Sequence, residues 1–329
     1  MTTPAARVSV VVPNYNYARY LEERFESILG QTFGDYEIIF LDDASQDESV
    51  AFAREKFGER ISRFETSTVN SGNPFTQWNR GVRLARGEFV WIAESDDTCS
   101  PHFLARLVEA LERSPKSGLG YCYTTPVDET GKIIDAAFYQ RYVEELDGAR
   151  WRSDFVADGR EEVRRYLSRK NTITNVSGVL FRREAYVAMG YAPEQMRMCG
   201  DWLAYCRLLH DWDIAYIAEP MNFHRQHAAK HTQNAVLNLT YFREFLQVQQ
   251  YLADAFALGP SERAAAFRRF MNEWDRLTVS NYGRIDVRNT LTLARMSAAR
   301  YSRPEERIRI AGHFLLNATR SLANAWKES

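Results

Sequence analysis

Four apolar runs of strand length recur in the first hundred residues, each closed by polar residues and followed by a helical pattern. Val8 to Val12 (VSVVV) is β-branched and ends at Pro13, and Asn14-Tyr15-Asn16 turns into a helix with Leu21, Phe25, Ile28 and Leu29 on one face. Glu37 to Leu41 ends in Asp42-Asp43, after which Ser45 and Glu48 match a capping box for a helix carrying Val50, Phe52 and Phe57. A weaker strand near Ile61 to Phe64 leads to the turn Asn70-Ser71-Gly72-Asn73-Pro74 and a helix turning Phe75, Trp78, Val82 and Ala85 inward. Phe89 to Ala93 then stops at Glu94, Ser95, Asp96 and Asp97, and Ser100-Pro101 opens a helix around Phe103 to Leu111. Serial βα units predict an α/β fold, a mostly parallel sheet flanked by helices, with ligands at the carboxyl ends of the strands. Asp42, Asp43, Asp96 and Asp97 all fall at that edge.

Beyond this point the pattern changes. Gly118 to Thr124 reads as a fifth strand and Asp128 to Ile134 (DETGKII) as a hairpin. From about Asp135 to Asn171 the periodicity loosens and charges multiply, which suggests either an insertion over the strand edge that helps bind a second substrate or an ordinary solvated segment. Val176 to Arg182 returns to strand. Gly200-Asp201-Trp202 opens a helix with Leu203, Leu208 and Leu209, and Ile214 to Ile217 is a further strand, followed by Pro220 and the histidine-rich MNFHRQHAAKH. After about Ala235 the chain reads as helices rich in Leu, Phe, Tyr and Arg. From Val287 to Ser329 eight Arg or Lys face three Glu, so the final amphipathic helices suit either an anionic membrane surface or packing on the chain itself or a second subunit.

Composition narrows the function classes. A chain of 329 residues suits one large domain with an appendage, or two domains. Its net charge of −1 gives no global field toward nucleic acid, and no partner of that kind is expected. Four cysteines without CxxC spacing, no apolar leader in MTTPAARVSV and no apolar run of membrane-spanning length together lead to an expected cytoplasmic location, with room for peripheral contact with an inner membrane.

Three carboxylates crowd the end of the strand that closes at Ala93. Such crowding costs repulsion and desolvation, which a cation with oxygen ligands, Mg2+ or Mn2+, offsets. The plain alternative is an acidic loop with Ser100 capping the next helix. The first βα turn, PNYNYARY, contains no glycine, which argues against a dinucleotide fingerprint and against the basic glycine-rich loop of a nucleotidyltransferase. His224, His227 and His231 have helical metal-ligand spacing but lack further ligands for zinc.

Taken in order, the segments VSVVVPNYN, DYEIIFLDDAS, NSGN, NRGVRLARGEFVWIAESDD, VSGVLFRREA, GDWLAYCRL and FHRQH spell a series. Over about residues 7 to 231 this series resembles the family 2 glycosyltransferases with a GT-A fold. The resemblance implies a GT-A domain over 1–234, with a nucleotide-sugar-binding half (1–125) and an acceptor-side half (126–234); the helical region over 235–329 lies outside it. It also implies transfer of a sugar from a nucleoside diphosphate sugar to a glycan, lipid-linked or other hydroxyl acceptor, with inversion and with a divalent metal. On matching positions, Pro13 and Tyr15 border the base, and Asp42 or Asp43 contacts base or ribose. Asp97 is the first metal ligand with Asp96 beside it on ribose or metal, Arg225 and His227 stand near the diphosphate and metal, and Asp201 is the catalytic base. The carboxylate that usually precedes the base is absent, because Gly200 stands there.

Simple chemistry asks for the same parts. A departing nucleoside diphosphate gains charge that a metal stabilises, and the acceptor hydroxyl needs a nearby carboxylate to take its proton. Asp201 also suits a helix cap, a role compatible with that of base. Trp202 is the candidate platform for an acceptor sugar, with burial in the core as its alternative. The rival reading is a GT-A subunit that binds a nucleotide sugar without turning it over, as a scaffold or regulator. A phospho-receiver module, another α/β sheet with acidic strand ends, would have no use for Asp201 or the R-x-H element.

Overall fold

The computed structural model describes residues 6–226, 238–280, 287–301 and 303–327. It divides into two compact units, the first comprising Met1–Glu162, Thr172–Gln195 and Ala204–His227, the second Val163–Asn171, Met196–Leu203 and Ala228–Ser329. Two short pieces of the sheet-forming sequence thus cluster with the C-terminal helices.

The first unit is built on one mixed sheet. Strands β1 (Val8–Asn14), β2 (Tyr36–Asp42), β3 (Arg63–Thr66) and β4 (Phe89–Ile92) run parallel, in the order β3-β2-β1-β4. The order continues through β8 (Val179–Arg182), β6 (Ser117–Val127), β9 (Asp213–Arg225) and β5 (Thr98–Cys99), with β7 (Phe155–Ala157) also on β9. In this half β6 and β9 are parallel while β8, β5 and β7 pair antiparallel. All of β1 and β4 is buried, as expected of strands covered on both faces. Helices α1 (Ala18–Leu29), α2 (Ser49–Phe57), α3 (Pro74–Leu84) and α4 (Phe103–Arg113) provide the cover. Leu21, Phe25, Phe40, Trp91, Phe103 and Leu107 form the centre of its core.

Two local expectations change. Ser45 does not cap α2, because its hydroxyl donates to Asp42 at 2.6 Å and its oxygen accepts the Asn16 N–H at 2.9 Å; α2 begins at Ser49 with no side-chain cap. Strand β9 runs well past Ile217, through Pro220. The proline sits opposite Tyr123, where the register with β6 slips, so its missing N–H falls at an irregularity and not in the ladder.

The second unit is helical, with helices Thr240–Ala255, Pro260–Ser280, Val287–Arg300 and Pro304–Lys327. Phe242, Phe245, Phe270 and Trp274 are buried there, and Phe270 packs against both Phe245 and Tyr301. On the last helix Ile310 is buried, while Ile308, Leu315 and Leu316 are exposed. No helix among the described residues is long and apolar enough to cross a membrane, and none of the four buried cysteines forms a disulfide.

Helix α3 approaches β1 through Gly81. A Cβ there would lie 2.2 Å from Cγ1 of Val11. Gly81→Ala should therefore cost about 1–3 kcal/mol of overpacking and lower the thermal unfolding midpoint; an unchanged midpoint in a calorimetric scan would contradict this packing.

Candidate functional site at the carboxyl edge of the sheet

The residues after β4 make a tight, heavily tied turn. The Ser95 hydroxyl donates to the Pro13 carbonyl at 2.7 Å, the Glu94 N–H to Ser177 Oγ at 3.1 Å, and the Asp97 N–H back to the Glu94 carbonyl at 3.3 Å. Asp97 is buried at 1% exposure. Its Oδ1 accepts the Arg225 N–H at 2.9 Å, and its Oδ2 accepts Asn175 Nδ2 at 3.0 Å. Asn175 is itself held by Asn222, which also donates to Thr124 on β6. Asp96, by contrast, is half-exposed.

Burial and charge crowding shift Glu94 and Asp97 upward. Burial, then Asp96, pushes the Glu94 carboxyl up to about 8, against the hydrogen bond at 2.6 Å from the Trp78 indole. Burial and Asp96 likewise raise Asp97, against His224, Ser177 and Arg24. Arg24 is fully buried over the Trp91 ring at 4.7 Å, and its guanidinium, whose side-chain contact is the Cys99 thiol, reaches no carboxylate of the turn by hydrogen bond. It therefore acts on the acidic turn through charge. The spacing Leu21, Arg24, Phe25, Ile28 places it on the inward stripe of α1, a signal that could have marked a buried cation.

Asp42 and Asp43 clasp loops together. Asp42 accepts Asn14 Nδ2 and the N–H and hydroxyl of Ser45, while Asp43 accepts the N–H and hydroxyl of Ser71 and Gln77 Nε2 at 2.7 Å. Both are buried, as is Pro13, whereas Tyr15 is 44% exposed at the tip of the first loop. Asn16 and Ala44 lie in the left-handed region, at φ 56° and 65°, so Asn16 makes the sharp turn that glycine would otherwise make. An Ala in that conformation is strained and is held by the bonds around it.

The charged stretch 135–171 does contribute to this edge. Helix α5 (Phe138–Glu144) places the Tyr139 hydroxyl 2.6 Å from His224 Nδ1, with the rings stacked at 6.0 Å and Gln226 beside them. Trp151 anchors the same stretch by donating to the Tyr121 hydroxyl at 2.7 Å. Nothing in the spacing of Tyr139, Asn175 or Ser177 distinguishes them in the sequence.

Three expectations need restating. Arg225, expected at the diphosphate, is 2% exposed; it binds the carbonyls of Asp96, Asp128 and Glu129, pairs with Glu23, and lies on the Tyr20 ring. Trp202 is not a sugar platform: it is 3% exposed, its indole donates to the Leu167 carbonyl, and its ring abuts Phe245 edge-on. Apolar packing has claimed its whole surface. His227 and His231 lie outside the described residues.

Asp201 belongs to the second unit, in the first turn of helix Gly200–Leu208. It is half-buried and accepts Asn171 Nδ2 at 2.9 Å. Burial, with a smaller push from Glu244, raises its carboxyl to about 6.

Among the described residues no three His, Cys, Asp or Glu side chains converge as a closed metal cage. The oxygen chemistry at the turn still fits Mg2+ or Mn2+, which take one or two protein carboxylates and complete their shell with phosphate oxygens and water. Asp96 supplies a half-exposed carboxylate, and its acidic neighbours favour a cation beside it.

The model of "Glycosyl transferase family 2" matches residues 9–188. An uncharacterized glycosyltransferase of Nostoc sp. is 35% identical over 137 residues, which is 41% of this chain and 41% of that protein. Staphylococcus aureus TarS, a poly(ribitol-phosphate) beta-N-acetylglucosaminyltransferase, is 35% identical over 96 residues, 28% of this chain and 16% of that protein. The chain thus matches under half the length of these relatives. The crystal structure of TarS residues 1–349 with UDP-GlcNAc aligns with a TM-score of 0.66 at 16% identity, covering 98% of this chain and 92% of that one. A mannosyltransferase of Pyrobaculum calidifontis, in complex with GDP-Man and Mn2+, aligns at a TM-score of 0.53 and 19% identity, covering 97% and 88%. These likenesses show the GT-A fold.

The acidic turn carries a pH signature. Folded Glu94 keeps its proton up to about pH 8, whereas the unfolded carboxyl releases it near the ordinary carboxylate value. Between the two the folded state binds more protons, so stability falls as pH rises and levels off above about 8. Urea unfolding of metal-free protein from about pH 5 to 8 should show a steeper decline in the wild type than in Glu94→Gln; parallel curves would contradict the burial of that carboxyl.

Proposed function

The chain belongs to glycosyl transferase family 2, and we propose that it moves a sugar from a nucleoside diphosphate sugar to an acceptor hydroxyl. The transfer inverts the anomeric centre in one displacement, with Mg2+ or Mn2+ assisting, and serves bacterial polysaccharide or glycan assembly. The observation that carries this reading is the tied acidic turn Glu94–Asp97 at the carboxyl edge of parallel strands, where α/β sheets bind ligands. UDP is the first nucleotide to test, since TarS was crystallised with UDP-GlcNAc.

When bound, the metal supplies Lewis-acid stabilisation of the departing diphosphate. Asp97, expected as the first ligand, has its two oxygens taken by Arg225 N–H and Asn175 Nδ2, so the half-exposed Asp96 would hold it. Asp97, with its oxygens on Arg225 N–H and Asn175, fixes the turn that presents Asp96. The loops clasped by Asp42 and Asp43 form the base and ribose side, with Pro13 in its wall and Tyr15 exposed at its tip. Arg225 stiffens the diphosphate side by anchoring the turn after β6. Asp201, with a carboxyl raised to about 6, is ionised at neutral pH yet basic enough to take the acceptor proton. Peripheral contact with an anionic membrane is supported by exposed Ile308, Leu315 and Leu316 with Arg307 and Arg309 alongside.

The two aspartates should separate experimentally. Asp96→Asn should abolish metal-dependent UDP binding and leave the thermal midpoint in place. Asp97→Asn should lower the midpoint, because an amide offers one acceptor where the buried turn uses two. Full metal-dependent affinity in Asp96→Asn would overturn its assignment. Release of UDP from UDP-sugars in the presence of an acceptor glycan tests the activity itself.

A further inference from the structure

Glu244 lies in the helix Thr240–Ala255, outside residues 9–188 matched by the family model. It is 5% exposed, and its carboxylate gathers three successive backbone N–H groups at the turn before helix Gly200–Leu208. Oε1 accepts Arg197 N–H at 2.7 Å, and Oε2 accepts Met198 N–H at 2.7 Å and Cys199 N–H at 2.8 Å. Consecutive N–H groups converging on one anion form a nest, and the positive end of a helix adds to the attraction. Two residues beyond this nest stands Asp201. Its other tie is Asn171, in the segment whose Ser168 carbonyl accepts Gln249 from the helix that carries Glu244.

We propose that Glu244 is the positioning residue for Asp201: its carboxylate locks the turn 197–199, which fixes the direction of the first helical turn. The inference rests on Asp201 being the base. Among the described residues, the charged and titratable groups near the pair include Arg197 in the clasped turn, Cys199, Glu273 and Lys170. Cys199 is buried, and its thiol is raised well above its ordinary value by burial and then by Asp201 and Glu244. Glu273, from helix Pro260–Ser280, also acts on Cys199 but is paired with Arg269 and Arg276 and accepts from Tyr241. Lys170 is buried next to Asn171 in the sequence. Of these acids, Glu244 is the one whose charge raises Asp201, after burial.

Kinetics of full-length Glu244→Gln, Glu244→Asp and Asp201→Asn test it, with UDP affinity measured on each. Glu244→Gln should lower kcat by about 10- to 100-fold, the scale of a misplaced catalytic group, with UDP affinity unchanged. The acid limb of its kcat profile should move to lower pH, because removing a negative charge makes Asp201 a weaker base. Glu244→Asp keeps the charge but shortens the reach, so kcat should fall while the limb stays; this variant decides the matter if the glutamine variant does not fold. Unchanged kcat in Glu244→Asp, or an unmoved limb in folded Glu244→Gln, overturns the proposal. Turnover persisting in Asp201→Asn would remove the base itself, a failure recognisable apart from that of Glu244.

Discussion

The acidic edge depends on one buried carboxylate. Asp97 draws the end of β4 to the end of β9 through Arg225 N–H and to the 175 loop through Asn175. An ionised carboxylate at 1% exposure is expensive unless every oxygen is matched, so these bonds are obligatory for the turn. Arg24 adds a buried positive charge behind it without contacting it by hydrogen bond. From this anchor follow the direction of Asp96, the path of the Asp128–Glu129 turn held by the Arg225 guanidinium, and the location of His224 and Tyr139.

Each unit holds an acid shifted by its own environment. Glu94 is raised to about 8 by burial among like charges, while Asp201 rests at about 6, partly relieved by the Trp202 N–H and Asn171. A carboxyl of the first kind is protonated at neutral pH; one of the second kind is ionised. Such divergence between acids is how one protein assigns them different tasks. Asp42 and Asp43 clasp loops at the strand ends through Asn14, Ser45, Ser71 and Gln77.

Much of this was legible beforehand because hydrophobic period and strand-end acids are local signals. β1 and β4 begin at their predicted first residues and β2 one residue earlier, all three run to within two residues of their predicted ends, and the acidic ends of β2 and β4 follow from their residues alone. What escaped was long-range. No local rule says that Ser45 turns away from its helix toward Asp42, that Pro220 lies inside a strand because β6 slips register, or that Trp202 is covered by Phe245 and Leu167. Nor does spacing mark Asn175, whose role exists only because β4 and β9 meet beside it. Asp96 and Asp97 are adjacent in sequence and opposite in exposure, a distinction that only packing makes.

The central claim is that the edge around Asp96 binds a nucleoside diphosphate together with a divalent cation. Calorimetric titration of the full chain with UDP, GDP, dTDP and CDP, each with Mn2+ and with EDTA, tests it most directly. The account predicts saturable binding of one nucleotide that disappears in EDTA. Absence of binding to all four in the presence of Mn2+ would contradict it and leave a non-catalytic GT-A scaffold as the better description.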